Sequence, residues 1–514
     1  MAAASHEPQL LNLFAYLDWT NAMSARLSLA ALKSSLSSVS GPKYAREALT
    51  AGILHIGVGN FHRAHQAVYL DDLFNLGLDH DWAIVGAGVR DADRHMRESL
   101  RSQDWLTTVV EQEASGSRAH VTGAMIDFLE PFDAAASLEL LGRPEIRIVS
   151  LTITEGGYYI SPATQAFDPT HPDIVWDAQN PATPRTAFGL IVAGLKRRRE
   201  AGVAPFTVMS CDNIPGNGHV TENAVAGLAE LVDADLATWI RSAVAFPNSM
   251  VDRITPATTD RERALARETF GIEDSWPVFC EEFKQWVVED HFPTGRPRLE
   301  KVGVTFAADV APYELMKIRI LNGGHAAIAY PAGLLDIHFV HEAMEDVQIR
   351  AFLRALTERE IIPQVPPPPA TDLEDYRQLI ERRFSNPKIG DTISRLCLDG
   401  SNRQPKFILP TAANRLQAGG DVAGLALVSA LWCRYAYGES ESGQIIPPND
   451  PSWDRLQAKA REARQRPEAY LELRDIFGAL ADTPAYVAAF TGALTTLWTR
   501  GVRATLRDYL DGRP

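Results

Sequence analysis

The chain has 514 residues, 46% of them hydrophobic and 22% charged, which is long enough for two or three cores and too apolar for a disordered polymer. Its net charge of −15 argues against a nucleic-acid or anionic-membrane partner, since both depend on clustered positive charge. Cys211, Cys280, Cys397 and Cys433 lie far apart without CxxC or CxxH spacing, so neither a disulfide framework nor a zinc site is expected and a reducing compartment is implied.

No apolar run approaches the ~20 residues that span a bilayer, and no basic n-region precedes an apolar core at the N-terminus. A cytoplasmic protein is expected. Residues 1–49 carry no readable chemistry and are read as an extension, with Met23 as an alternative start.

From Gly52 the pattern becomes regular. GILHIGV (Gly52 to Val58) is a short apolar run, followed by GNFHRAH and the amphipathic stretch QAVYLDDLFNLG, which together read as strand, glycine turn and helix. In a dinucleotide-binding fold the first two glycines allow a tight turn and bring the backbone close to a pyrophosphate, roles that suit Gly57 and Gly59. The third glycine of GxGxxG would fall at His62, so the motif is incomplete. WAIVGAGVRDADR reads as the second strand, although its own Gly86 and Gly88 compete for the glycine-turn role. Asp91 follows it, and an acidic residue there binds the ribose hydroxyls of NAD. Two alternatives stay open: Arg90 holding the 2′-phosphate of NADP, and Asp91 as a plain turn or cap residue.

EIRIVSLTI (Glu145 to Ile153) and PFTVMS (Pro205 to Ser210) continue the strand and helix alternation of a parallel sheet. The basic run Lys196 to Arg199 reads as the end of a helix beginning near Thr186. The two strands lead into TITEGGYY and CDNIPGNG. Ligands bind beyond the carboxyl ends of such strands, which nominates Thr154, Glu155 and Asn213 to border a nicotinamide; for Asn213 an Asx turn before Pro215 is the plainer reading. FKQWVVED (Phe283 to Asp290) reads as a late strand rejoining this sheet.

The segment YELMKIRILNGGHAAIAYPAG concentrates the chemistry. At about 100° per residue, Glu314, Lys317, Asn322 and His325 fall on one wedge of a helix whose other residues are apolar. Unpaired polar atoms are costly in such a setting. Gly323 and Gly324 each cost roughly 0.5–1 kcal/mol inside a helix and signal close backbone approach, with a ligand as one candidate. From this segment alone, a buried Lys–Glu pair and an internally satisfied His explain the pattern as well as a catalytic base does. Beyond it, PQVPPPPATD (Pro363 to Asp372) is a stiff connector leading to a helix capped by Thr371 or Asp372. GLALVSALWCRYAYG, PEAYLELRDIFGAL and PAYVAAFTGALTTLWTRG read as helices with apolar faces.

HIGVGNFHRAHQ, SLTITEGGYY, CDNIPGNG, MVDRITP, FKQWVVED and KIRILNGGHAAIAY resemble, in order and spacing, the mannitol dehydrogenase family of long-chain polyol dehydrogenases. The likeness continues through FSNPKIGDTISRLCLDGSNRQPKFILP (Phe384 to Pro410) and leaves only residues 1–49 outside it. The resemblance implies an α/β protein: a Rossmann-type NAD-binding domain, placed at residues 50–240, and a mainly α-helical C-terminal domain, placed at 241–514, with the active site between them and no metal. It implies Lys317 as general base, Asn213 and Asn322 as active-site amides, His325 as the active-site histidine, and Glu314 as the group exchanging protons with solvent. Asp252, Arg395 and Arg403 fall where the family contacts the polyol. Gly57, Gly59, Asn60, Phe61, Arg63, Asp91, Thr154 and Glu155 form the expected cofactor set for NAD, with NADP as alternative.

The implied reaction is oxidation of a polyol to a ketose, best matched by D-mannitol to D-fructose. Arabinitol and sorbitol are alternatives, as are hexuronates such as fructuronate and tagaturonate, for which Arg395, Arg403 or Lys406 would meet a carboxylate. From a different class, a non-catalytic NAD-binding regulator is the rival. Burial would lower the pKa of Lys317 and an ionised Glu314 would raise it, so the sequence leaves the net direction open. It also sets no oligomeric state.

Overall fold

The computed structural model describes residues 24–161 and 166–513; the first 23 residues of the expected extension lie outside these. The nucleotide-binding core is a five-stranded sheet built from β1 (Ala51–Ile56), β2 (Ala83–Ala87), β3 (Met125–Phe128), β4 (Ile148–Leu151) and β5 (Thr207–Ser210). Its order is β3-β2-β1-β4-β5 with every pair parallel. The strands are short apolar runs because both faces are covered. Register fixes which residue faces which layer. Leu54 lies opposite Val85 and Val149 and shares their core with the helices Ala187–Ala201 and Asn217–Val232, whereas Ile53, opposite Ile84 and Ile148, packs under the helix Gln66–Asn75.

The helix over the basic run is capped by Thr186, whose hydroxyl accepts from Gly189 N. Arg198 within it is fully buried and donates to the carbonyls of Leu141 and Ala204. The run is thus a strut as well as a helix end.

FKQWVVED does contain a strand, but not in the first sheet. Three further strands, β6 (Ser249–Asp252), β7 (Gln285–Glu289) and β8 (Thr305–Ala307), form a separate sheet ordered β8-β7-β6, with β6 antiparallel to β7. Trp286, Val288 and Val251 still bury into the core beneath β1 and β2, so this second sheet is plastered onto the nucleotide domain past residue 240. Part of residues 1–49 is also integrated: Ala25 and Arg26 pair in parallel with Ile272 and Glu273.

The C-terminal half is helical around one core running from Met316 to Leu506. At its centre the helix Ala423–Ala436 is buried on every side. Asp372 is the cap after the proline connector, accepting from Glu374 N and Asp375 N. PEAYLELRDIFGAL departs from the expected helix. It breaks into short turns, with Gly478 at φ +51, because its apolar residues fill the core from a winding backbone rather than from one face. The last helix, Pro484–Leu510, kinks at Gly501 (φ +81).

Candidate active site between the two domains

The segment bearing Lys317 is not one α-helix. We label the helix Ala311–Met316 α1 and the helix Gly323–Leu334 α2; between them Lys317–Asn322 forms a π-helical turn. Such turns take one more residue per hydrogen-bonded loop and recur at functional sites. The 100° spacing therefore fails across this stretch, and the relative directions of Lys317 and Asn322 are set by the wider turn. A Cβ on Gly324 would lie 3.3 Å from Leu353 and 3.5 Å from Phe384, a tight fit between helices, whereas one on Gly323 would lie 3.4 Å from the carbonyl of Phe407, an ordinary contact.

Lys317 Nζ donates to Asn213 Oδ1 at 2.5 Å and to the Val251 carbonyl at 2.5 Å. The lysine leaves the helical domain and ends against the loop after β5 and the strand β6. Asn213 makes no Asx turn among the described residues; its oxygen accepts from the lysine, and its NH2 has no partner among them. Glu314 does not pair with Lys317. Its carboxylate oxygens accept from Gly216 N, at 3.2 Å each.

Burial drives the titration here. It lowers the pKa of Lys317, against the pull of Asp252 and Glu314 and together with Arg383. It pushes Glu314 up to about 6. It pushes His325 down to about 3, so this imidazole is neutral.

His325 stacks on Phe384 with ring centroids 4.1 Å apart, and among the described residues its buried Nε2 has no partner, nor has the buried Oδ1 of Asn322. A narrow cavity runs beside the imidazole, lined by Ile254, Arg383, Phe384 and Asp391 among others. Buried polar atoms without partners are rare in folded chains. These two lie on one turn of helix, next to a buried lysine.

The residues expected to meet the polyol are already engaged. Asp252 lends both oxygens to Arg383, at 2.7 and 3.0 Å; burial opposes its charge, but Arg383 and Lys317 hold the carboxyl below its ordinary range. Arg395 forks onto Asp391, and Arg403 donates to the carbonyl of Leu396. Both arginines act electrostatically on His325.

On the nucleotide side, Gly57 has φ +97, and a Cβ there would lie 2.2 Å from the Thr152 carbonyl, while one on Gly59 would meet only the Gly57 carbonyl, at 3.8 Å. The first glycine makes the turn and the second leaves its backbone open at the carboxyl end of β1, the division of labour a pyrophosphate requires. His62 fills the third-glycine position, buried and stacked on His55 at 3.4 Å. Gly88 does not compete, because its open side is closed by Asp93. Asp91 is exposed at the start of the helix Asp91–Arg101 just past β2, and Asp93, not Asp91, caps the turn by accepting from Val89 N and Arg90 N. Thr154 and Glu155 lie past β4, Glu155 exposed, and Thr154 has φ +62. Phe61 stacks on His65.

The side chains of Arg63 and Asn60 are engaged within the protein. Arg63 is fully buried and donates to the Trp276 carbonyl at 2.6 Å and to Asn60 Oδ1 at 2.9 Å, while Asn60 donates to the Pro256 carbonyl and Thr258 Oγ1. Their side chains brace the turn from below.

Comparison with known proteins decides the family. The mannitol dehydrogenase Rossmann domain matches residues 51–301 and the mannitol dehydrogenase C-terminal domain matches residues 309–498. The chain belongs to the mannitol dehydrogenase family. It is 60% identical to a mannitol 2-dehydrogenase of Cereibacter sphaeroides over 92% of this chain and 99% of that protein. It is 42% identical to one of Phaeosphaeria nodorum, over 93% and 84%. Among solved structures, the Pseudomonas fluorescens mannitol 2-dehydrogenase in ternary complex with NAD and D-mannitol superposes with a TM-score of 0.83 at 42% identity, covering 95% of this chain and all of that one. A substrate-free D-sorbitol dehydrogenase gives 0.86 at 36% identity, covering 93% and 100%.

Within this mannitol dehydrogenase fold, several site residues escaped the sequence. Arg383 sits at the end of LEDYRQLIERRF, where a basic residue looks like an ordinary helix terminus. Asp212 adjoins Asn213 and accepts from Ile153 N, Thr154 N and the Tyr158 hydroxyl, tying the loops after β4 and β5 together. Its position beside a nominated asparagine was the available signal. The Val251 carbonyl had none, since any residue carries one.

Proposed function

We propose that this chain oxidises D-mannitol to D-fructose with NAD, Lys317 serving as general base. The observation that carries the proposal is the seating of Lys317: a lysine buried between two domains, deprotonated more readily than usual, and held by a carbonyl and by an amide whose NH2 has no partner among the described residues. Its relatives include mannitol 2-dehydrogenases, one of them solved with NAD and D-mannitol, and the glycine turn of this chain suits a dinucleotide. When bound, NAD supplies the hydride acceptor.

The chain's residues do the rest. Neutral Lys317 takes the proton of the substrate hydroxyl. The amides of Asn213 and Asn322 donate to the oxygen as it gains charge, an arrangement worth roughly 3–4 kcal/mol per donor in comparable sites. His325, held flat against Phe384, hydrogen-bonds a hydroxyl of the substrate through Nε2 and fixes its orientation. In the reverse direction the lysinium returns the proton to the ketose oxygen. Glu314, one turn before Lys317 and poised near pH 6 by burial, is the group that passes the proton outward. Asp91 takes the ribose hydroxyls and favours NAD, while the neighbouring Arg90 offers a charge for NADP.

The test is a panel of D-mannitol, D-arabinitol, D-sorbitol, fructuronate and tagaturonate with each nicotinamide cofactor, followed by nicotinamide absorbance. Fastest turnover is expected for D-mannitol with NAD. Fastest turnover on a hexuronate would move Arg395 and Arg403 to carboxylate recognition, and NADH binding without turnover on any member would favour the regulator.

A further inference from the structure

Arg383 lies at the end of the helix Leu373–Phe384 in the helical domain, yet every strong partner it has belongs to the other domain. Its Nη1 and Nη2 donate to the two oxygens of Asp252, at 2.7 and 3.0 Å, and its Nε and Nη2 donate to the two oxygens of Glu281, at 2.8 and 2.7 Å. Its guanidinium also lies over the ring of Phe283, 4.2 Å from the centroid. All three charged side chains are buried. One cation thus meets two anions. Asp252 also feels the amine of Lys317, which hydrogen-bonds the carbonyl of Val251, the residue preceding Asp252.

We propose that Arg383 is a positioning residue for the reaction: by occupying all four oxygens of Asp252 and Glu281 from across the domain boundary, it denies the lysine amine an ion-pair partner and keeps it available as a base.

The groups acting on Lys317 are few. Asp252 on β6, Glu281 on the strand Val278–Glu281 and Glu314 on α1 favour its charged form; Arg383 and burial oppose it. Asp252 in turn feels Arg383, Lys317 and His65, and Glu281 feels Arg383 and Asp252 and accepts from Ile254 N. With the guanidinium removed, two buried carboxylates face one amine, and a proton held on Lys317 offsets part of their unpaired charge. The fork geometry matters as well as the charge, because a lysine in place of Arg383 is a point donor and cannot engage four oxygens.

The inference rests on Lys317 being the base, and its test keeps the two ideas apart. The pH profile of kcat/KM for D-mannitol oxidation is measured for the full chain, for R383M and for R383M/D252N. In R383M the rising limb should move to higher pH, with about a tenfold loss at neutral pH for every pH unit that the limb moves and recovery towards the parent plateau at high pH. R383M/D252N should bring the limb back, whatever it does to KM. A loss of the same factor at every pH in R383M, or a limb left unmoved by the second substitution, would overturn the proposal in favour of a purely structural clasp. If R383M does not fold, R383K decides: a smaller upward movement of the limb supports the proposal and an unmoved limb sinks it. K317A separates the premises. Near-normal turnover there removes the base, whereas an inactive K317A with an unmoved R383M limb removes only the role of Arg383.

Discussion

Replacing Asn322 by alanine should weaken catalysis while leaving the fold as stable as before or more so. Oδ1 of Asn322 is buried with no hydrogen-bond partner among the described residues, an arrangement that costs a folded chain about 1–3 kcal/mol. Alanine removes that atom and is also the better helix former, by a few tenths of a kcal/mol up to about 0.7. The same substitution deletes the amide that the proposed mechanism uses to donate to the developing alkoxide, for which comparable losses are about 3–4 kcal/mol, or roughly 10²–10³ in kcat. Two measurements on one variant are needed: steady-state oxidation of D-mannitol at saturating NAD, and thermal unfolding. The expected pair is a kcat lower by two to three orders of magnitude with a modest change in KM, and a melting temperature not below the parent. A drop confined to KM would make Asn322 a ground-state contact, and a melting temperature several degrees lower would mean that the amide has a structural partner in the folded chain.

Lys317→Ala should bind NADH normally by fluorescence titration and lose several orders of magnitude in turnover; near-normal turnover removes Lys317 from the mechanism. For the parent enzyme, oxidation requires neutral lysine, so its rate should rise with pH through the lowered pKa of Lys317 and level off below the ordinary lysine range, while ketose reduction, which needs lysinium, falls over the same interval. A flat oxidation profile would contradict this. Gly57→Ala places a Cβ 2.2 Å from the Thr152 carbonyl at a backbone φ of +97, a strain of order 1–3 kcal/mol, and should raise the KM for NAD and lower the melting temperature; unchanged values of both would remove the turn from the cofactor site.

Much of this arrangement was legible because it is local. The apolar runs at residues 52–58 and 145–153 declare strands, and the glycine turn after β1 follows from the two positions where a side chain cannot fit or is not wanted. The polar residues of KIRILNGGH stood out against an apolar background. What stayed hidden is tertiary. Arg383 and Asp252 are 131 positions apart, and Arg63 and Trp276 are 213 apart, so nothing in their neighbourhoods distinguishes a buried strut from a solvent-facing charge. The strand at Gln285–Glu289 was visible, but its partners were not, because period-two alternation does not say which sheet a strand joins. The π-helical turn was invisible for another reason: its residues suit an α-helix equally well, and the extra residue is recognised only from the hydrogen bonds it displaces.

A π-helical turn absorbs one residue more than an α-helical turn, so Lys317 and His325 come back towards one side of the rod, where an unbroken α-helix would set them about 80° apart. A one-residue deletion within Ile318–Leu321 would allow α1 and α2 to merge into uninterrupted α-helix with the two side chains still about 20° from alignment. The product should keep its circular dichroism, its affinity for NADH and a measurable turnover; complete loss of turnover would show that the wide turn itself, and not the alignment across it, is what the site needs. The alignment of the two side chains is thus stored in how one turn takes up a spare residue.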